Sequence, residues 1–260
     1  MGVESAIGSA IENLKRVNGD FEQKSPREAL RWAIDLFSPD ISFACSYGAD
    51  DMVILDMIAK INPKTKVFYL DTDVLFKETY ELIEQAAERY GIRAVPYAGI
   101  SLGQQARLYG ETLWNVNPDL CCEQRKVKPL LEALKGQRAW ITGIRRDQTP
   151  TRATAGIVEW DPKFNLVKIN PLAPWTKEMV WDYIRANHVP YNPLHDQGYP
   201  SIGCTHCTSL VKPGEDPRSG RWKGFKKDEC GLHCDTGTVP PKSGAGGSAS
   251  VTPASDPRST

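Results

Sequence analysis

An α/β fold, doubly wound around a mostly parallel sheet flanked by helices, is what this sequence predicts, and two observations carry the prediction. Short apolar runs alternate with stretches of helical spacing, the pattern of β-then-α units that feed a parallel sheet. Three of those runs end in polar or glycine-containing loops, Ser46 to Asp51, Asp71-Thr72-Asp73 and Gly143 to Arg152. In open sheets of this class ligands sit at such carboxyl ends.

The elements follow in order. Ile11 to Phe37 has helical periodicity, with Pro26 after Ser25 as a helix start, so residues 1–40 read as a helical lead-in. Ile41 to Cys45 is a strand, Ser46 to Asp51 a turn, and Met52, Val53, Leu55, Ile58 and Ala59 mark a helix. Lys66 to Leu70 (strand), Lys77 to Tyr90 (helix) and Ile92 to Tyr97 (strand) repeat the unit, with Gly91 as the helix C-cap. Leu130 to Leu134 continue a helix from the paired cysteines, Arg138 to Gly143 supply a buried strand, and Leu166 to Ile169 another. Thr176 to Ala186 is the last helix, before a loop rich in Pro, Gly and His that delivers Cys204 and Cys207.

A chain of 260 residues can bury a sizeable core, and the reading is one domain with tails: an α/β unit over 41–215, a C-terminal segment over 216–235, and a disordered tail over 236–260 rich in Ser, Thr, Gly, Pro and Ala. Lys+Arg and Asp+Glu are both 32, which leaves no global charge to attract nucleic acid. The N-terminus does not read as a signal peptide and no run is long enough to span a membrane. Seven cysteines in such a chain, expected to be cytoplasmic, point to metal or catalytic roles rather than a disulfide framework.

Four of those cysteines fall into a vicinal pair, Cys121-Cys122, and a C-x-x-C, Cys204-Thr205-His206-Cys207. Together they make one four-thiolate site, suited to zinc or to an iron-sulfur cluster, and spacing does not choose between them. Lys126, about one helical turn past Cys122, would place a positive charge near both the sulfurs and a bound anion. Cys230, in Glu229-Cys230-Gly231-Leu232-His233 with Lys226 and Lys227 nearby, is the candidate nucleophile, since cations favour the attacking thiolate. Cys45 is expected to pack in the core and Cys234 to be idle or to form a disulfide with Cys230 under oxidation, while His188, His195 and His206 have loop or supporting roles.

Ser46-Tyr47-Gly48-Ala49-Asp50-Asp51 would offer backbone N–H groups and a helix N-terminus to a phosphate or sulfate, or else serve as an ordinary βα turn. It is not a Walker A loop, because no Gly-Lys-Ser/Thr follows. Leu70-Asp71-Thr72-Asp73 has a ribose-binding or a helix-capping reading. Gly143-Ile144-Arg145-Arg146 with Arg152 brings guanidinium forks toward the same crevice, and Arg218 and Arg221 form a second basic stretch.

Taken together, these segments resemble the assimilatory sulfonucleotide reductases, and within them the iron-sulfur adenylyl-sulfate (APS) reductases. The likeness runs from about Ser42 to His233 and also includes Cys121 to Val127, Thr142 to Gln148, Tyr191 to His195 and Gly203 to Cys207. Tyr47 stands where the family usually has Phe, and Cys234 adds a thiol beyond the C-terminal motif. The resemblance implies an adenine-nucleotide α-hydrolase-like sheet with a mobile C-terminal segment, and a [4Fe-4S] cluster on Cys121, Cys122, Cys204 and Cys207 that acts through its charge. It places the nucleotide across Ser46, Tyr47, Gly48, Asp50, Leu70, Asp71, Thr72 and Gly143. By the same resemblance Lys126, Arg218, Arg221 and His233 would grip the phosphosulfate while Arg145 and Arg146 would close the pocket. The resemblance further implies that Cys230 would attack the sulfate sulfur, AMP would leave, and thioredoxin or a glutaredoxin-like dithiol would free sulfite. The alternatives are a reductase of the 3′-phosphorylated nucleotide (PAPS), or of both nucleotides, and a zinc-stapled nucleotide-binding adaptor. A homo-oligomer is compatible with either kind of function.

Overall fold

The computed structural model describes residues 13–233. The first residues of the expected lead-in, Cys234 and the tail expected to be disordered lie outside them. The chain runs α1 (13–21), α2 (Pro26–Phe37), β1 (Ile41–Ala44), α3 (Ala49–Ile61), β2 (Lys66–Asp71), α4 (Lys77–Tyr90) and β3 (Val95–Ala98). It continues through α5 (Leu102–Tyr109), α6 (Leu113–Val116), α7 (Pro118–Cys122), α8 (Lys128–Ala133), β4 (Ala139–Ile141), β5 (Val158–Asp161), β6 (Leu166–Ile169) and α9 (Lys177–Asn187).

Six strands form one sheet in the order β3-β2-β1-β4-β6-β5. All pairs are parallel except the edge strand β5, which runs antiparallel to β6 with Val158 opposite Ile169. The chain winds outward from β1 through β2 to β3 and then restarts on the other side of β1 with β4. Strand order therefore reverses between β1 and β4, and a crevice opens beyond their carboxyl ends, where this class of sheet binds ligands.

Side-chain alternation explains the two layers. Phe43, Val67, Ile141, Val167 and Ile169 face a large core shared with α2, α3, α4 and α9. Phe68, Trp140 and Leu166 point the other way, against Leu130, Ala133 and Leu134 of the α8 region. Local signals fix the helices. Ser25 and Glu28 form a reciprocal capping box at the start of α2, a motif whose loss costs about 1 kcal/mol. α4 stops at Gly91, whose φ of 66° is the left-handed C-cap that glycine adopts freely.

Between α7 and α8 the helix widens into a π turn over Glu123–Val127, where the N–H of Lys128 reaches the carbonyl of Glu123, five residues back. Pro129 supplies the reason, because it has no N–H to give to Arg125 and its ring would crowd that carbonyl in an α register. The widened turn lies against Gly99. A Cβ there would stand 2.2 Å from the carbonyl oxygen of Gln124 and 2.9 Å from the Cα of Arg125, both backbone atoms. Gly99→Ala is expected to lower stability by about 1–3 kcal/mol, as overpacking against backbone does. A urea midpoint equal to that of the parent chain would contradict this packing.

Candidate functional site

The crevice is a cavity of about 1060 Å³, walled by the loops after β1, β2 and β4, by α9, and by the segment from Asp216 to His233. It gathers Ser46, Tyr47, Gly48, Asp50, Leu70, Thr72, Lys126, Gly143, Arg145, Arg146, Arg218, Arg221, Cys230 and His233. Asp71 stands apart from that lining: its carboxylate accepts hydrogen bonds from the Tyr80 hydroxyl (2.7 Å) and the Asp73 N–H (3.0 Å), which makes it a turn-forming group.

The β1–α3 loop is built around a buried carboxylate. The N–H and hydroxyl of Ser46 both donate to Asp51, and Tyr47 is held at φ 60° with its ring buried against Tyr69. Gly143, on the neighbouring loop, leaves room for Asp51, since a Cβ there would lie 1.9 Å from the carboxylate. Burial pushes the Asp51 carboxyl up to about 6, against the two Ser46 hydrogen bonds that favour its charge. A carboxyl raised in the folded state contributes stability that is full below its unfolded value, near pH 4, and lost as pH rises through about 6. Asp51→Asn is therefore expected to flatten the fall in stability between pH 4 and pH 6. Parallel urea-midpoint curves for the two proteins would contradict the assignment.

The arginines of the β4 loop have prior commitments. Arg145 pairs with Asp50 and Asp147, and Arg146 with Glu22 and the carbonyl of Ala155. They wall the pocket as ion pairs; Lys126, Arg218 and Arg221 line it as well, with Arg218 donating to the Asp228 carbonyl at 2.7 Å and standing 3.9 Å from the Glu229 carboxylate. Arg221 donates to the Cys207 carbonyl (3.1 Å) and Ser201 (3.2 Å), and its guanidinium lies 4.5 Å from the Trp222 ring. Burial works against the charge of Lys126, but the sulfurs of Cys204, Cys230 and Cys122 outweigh it and raise its pKa.

Cys121, Cys122, Cys204 and Cys207 line a small recess behind the cavity, with Val74, Trp114, Arg125, Lys126, His206 and Trp222. A β-bridge between Leu75 and Cys204 brings the C-x-x-C to the end of β2, and the Thr72 hydroxyl sits 3.3 Å from the Cys204 sulfur. Burial pushes the thiol of Cys121 up to about 11 and that of Cys122 to about 12. Among the described residues no group of three or more His, Cys, Asp and Glu closes on a point as a single metal ion needs. The residues nonetheless fit a larger sulfur-ligated group. Two buried donors on the recess, Arg125 Nη2 and Trp222 Nε1, have no hydrogen-bond partner among the described residues, and an anionic group bound through the thiols would give them one.

The C-terminal segment lies closed over the cavity. Lys227 pairs with Asp119 on α7, Lys163 donates to the Gly231 carbonyl, and Leu232 packs on the Phe68–Trp140 cluster. His233 stacks on Trp140 at 5.6 Å. Burial, with Arg152, Lys168, Arg218 and Lys163 around it, drives the His233 pKa well below the ordinary histidine value. As placed the imidazole is neutral, and its buried Nδ1 has no hydrogen-bond partner among the described residues. Cys230 is half-buried on the cavity wall. Asp51, Arg152, Trp140 and Trp222 complete the lining, with Glu229 behind Arg152; Asp51, Arg152 and Glu229 lie in segments that the sequence singled out, whereas the buried tryptophans read as core.

Comparison with known proteins follows the same outline. The family profile described as "Phosphoadenosine phosphosulfate reductase domain" matches residues 40–210. An adenosine 5′-phosphosulfate reductase from Shouchella clausii is 47% identical over 224 residues, 85% of this chain and 93% of the relative. Adenosine 5′-phosphosulfate reductase 2 of Bacillus subtilis is 50% identical over 208 residues, 79% of this chain and 88% of the relative. Among solved structures, phosphoadenylyl-sulfate (PAPS) reductase from Candida auris, a phosphate complex, superposes with a TM-score of 0.68 at 36% identity, over 77% of this chain and 97% of that one. The FMN adenylyltransferase of Candida glabrata shares the fold alone, with a TM-score of 0.52 at 19% identity over 85% and 86% of the two chains.

Proposed function

The chain belongs to the phosphoadenosine phosphosulfate reductase family, and on that premise we propose that it reduces adenosine 5′-phosphosulfate (APS) to sulfite and AMP in sulfate assimilation. The observation that carries the reading is the single cavity in which Cys230 faces Lys126, Arg218 and Arg221 beside the β1–α3 loop. The choice of APS over PAPS rests on the relatives named for APS, which match at 47–50% identity over most of the chain.

The adenosine lies across the ends of β1 and β2, over Ser46 to Asp50, Leu70 and Thr72, with its phosphosulfate turned toward the three cations. The Cys230 thiolate attacks the sulfate sulfur. A sulfur–sulfur bond forms, the sulfur–oxygen bond to the phosphate breaks, and AMP leaves with that electron pair. One thiolate of a thioredoxin-like dithiol then attacks the Cys230 sulfur and expels sulfite; its second thiol resolves the mixed disulfide, so the dithiol supplies both electrons. An anion attacking an anion is opposed by repulsion, and preorganised cations that hold the developing charge lower that barrier. Cys121, Cys122, Cys204 and Cys207 would hold a [4Fe-4S] cluster, which when bound supplies fixed charge beside Lys126. Arg125 and Trp222 would donate toward it, and His233, uncharged, would orient an oxygen of the substrate.

The test is sulfite release by anaerobically purified protein given thioredoxin and either APS or PAPS. Faster turnover of APS is the expected result. Preference for PAPS would overturn the substrate assignment, and no sulfite from either nucleotide would return the chain to the zinc-stapled adaptor.

A further inference from the structure

The nucleophile's segment is pinned by a buried ion pair that the reaction scheme does not use. Glu229, the residue before Cys230, accepts from Arg152 Nε at 2.7 Å and from Nη2 at 2.6 Å. The two side chains are 4% and 9% exposed. Arg218 stands 3.9 Å from the same carboxylate, and the Thr149 hydroxyl donates to it at 3.3 Å. Burial pushes the Glu229 carboxyl up, but Arg152 and Arg218 outweigh it and keep the group ionised. The third nitrogen of Arg152 donates to Gln148 Oε1 (2.6 Å), and the amide nitrogen of Gln148 donates to Asp50 (3.1 Å) in the first turn of α3. Three side chains thus link the expected nucleotide loop to the backbone of Cys230.

Burying two charges is costly, and such a pair is weak evidence of stability; its attested use is to specify one geometry. Glu229 and Cys230 have Cα atoms about 3.8 Å apart, so a fixed Glu229 carboxylate limits where the thiol can sit. The same fixation keeps Cys230, half-buried, on the cavity wall.

We propose that Arg152 and Glu229 form a clasp that holds the Cys230 segment shut and in register with the nucleotide loop, and that parts to present the sulfonated thiol to its reductant. Both are positioning residues for the reaction proposed above, and the inference rests on that reading for its second half only. Closure itself is read without substrate.

The test compares the full cluster-loaded chain with Glu229→Ala, Glu229→Gln and the charge-exchanged pair Arg152→Glu/Glu229→Arg. Two rates are measured: alkylation of Cys230 by iodoacetamide in substrate-free protein, followed by peptide mass, and single-turnover sulfonation of Cys230 by APS. Glu229→Ala is expected to alkylate about tenfold faster and to be sulfonated about 100-fold more slowly, the scale of a misplaced reacting group. Glu229→Gln should fall between, and the exchanged pair should recover part of both rates at unchanged iron content. Alkylation of Glu229→Ala at the parent rate would overturn the clasp, whatever happens to sulfonation. Faster alkylation in that variant, with no sulfonation of the parent chain by APS, would support the clasp and overturn the proposed reaction instead.

Discussion

Cys230→Ser is expected to abolish sulfite release, by about 10³-fold or more, as loss of a covalent nucleophile does. The structure makes the expectation specific. Cys230 lines the large cavity together with Lys126, the cation that also borders the cysteine recess. Cys45 is buried at 1% exposure beneath the β1–α3 loop, and burial together with Asp51 raises its pKa far above the ordinary thiol value. A hydroxyl in place of the Cys230 thiol keeps the shape and the segment's other contacts, so iron content and nucleotide affinity should hold while chemistry stops. Residual turnover near the parent rate, or an adduct that moves to Cys234, would place the nucleophile elsewhere.

Cys204→Ser is expected to have the second large effect, on iron before activity. Cys204 closes the recess from the β2 side through its bridge to Leu75 and its contact with Thr72, opposite Cys121 and Cys122 of α7. Losing one thiolate should weaken iron binding by more than about tenfold, since even the partners of metal ligands matter at that scale. Absorbance near the cluster band and iron per chain would both fall. Because the recess ties the β2 loop to α7, thermal stability should drop with them. Four irons retained in the variant would remove Cys204 from the ligand set.

Much of this was legible in the sequence, for identifiable reasons. Alternating apolar runs located β1, β2, β4 and β6 to within about two residues, and Gly91 marked the end of α4 because only a left-handed cap suits that position. β5 escaped notice because Val158–Asp161 is four residues long and half polar. α5 and α6 escaped because they bury little: Leu102, Leu108 and Val116 are exposed, so no apolar stripe appears. β3 was expected from Ile92, but pairing with β2 begins only at Val95.

The chemistry divides in the same way. Residue types singled out the four cysteines that the fold gathers in one recess and Cys230 on the cavity wall. Partners distant in the chain could not be read. Arg145 and Arg146 look available for an anion until Asp50 and Glu22 come to them from 95 and 124 residues away. Glu229 looks like part of a short motif until Arg152, 77 residues upstream, meets it. His233 gives no hint in sequence of the burial among Arg152, Lys168, Arg218 and Lys163 that lowers its pKa well below the ordinary histidine value. Asp71 was placed with the nucleotide and instead holds its own turn with Tyr80.

The central claim is that Cys230 takes the sulfonyl group from APS. It is tested most directly by mass spectrometry of the anaerobic, cluster-loaded protein after one equivalent of APS and no reductant. The account predicts one added SO₃ on the peptide containing Cys230, with AMP released in equal amount and sulfite appearing only when thioredoxin is added. AMP and sulfite released together without any protein adduct, or an adduct confined to another cysteine, would contradict it.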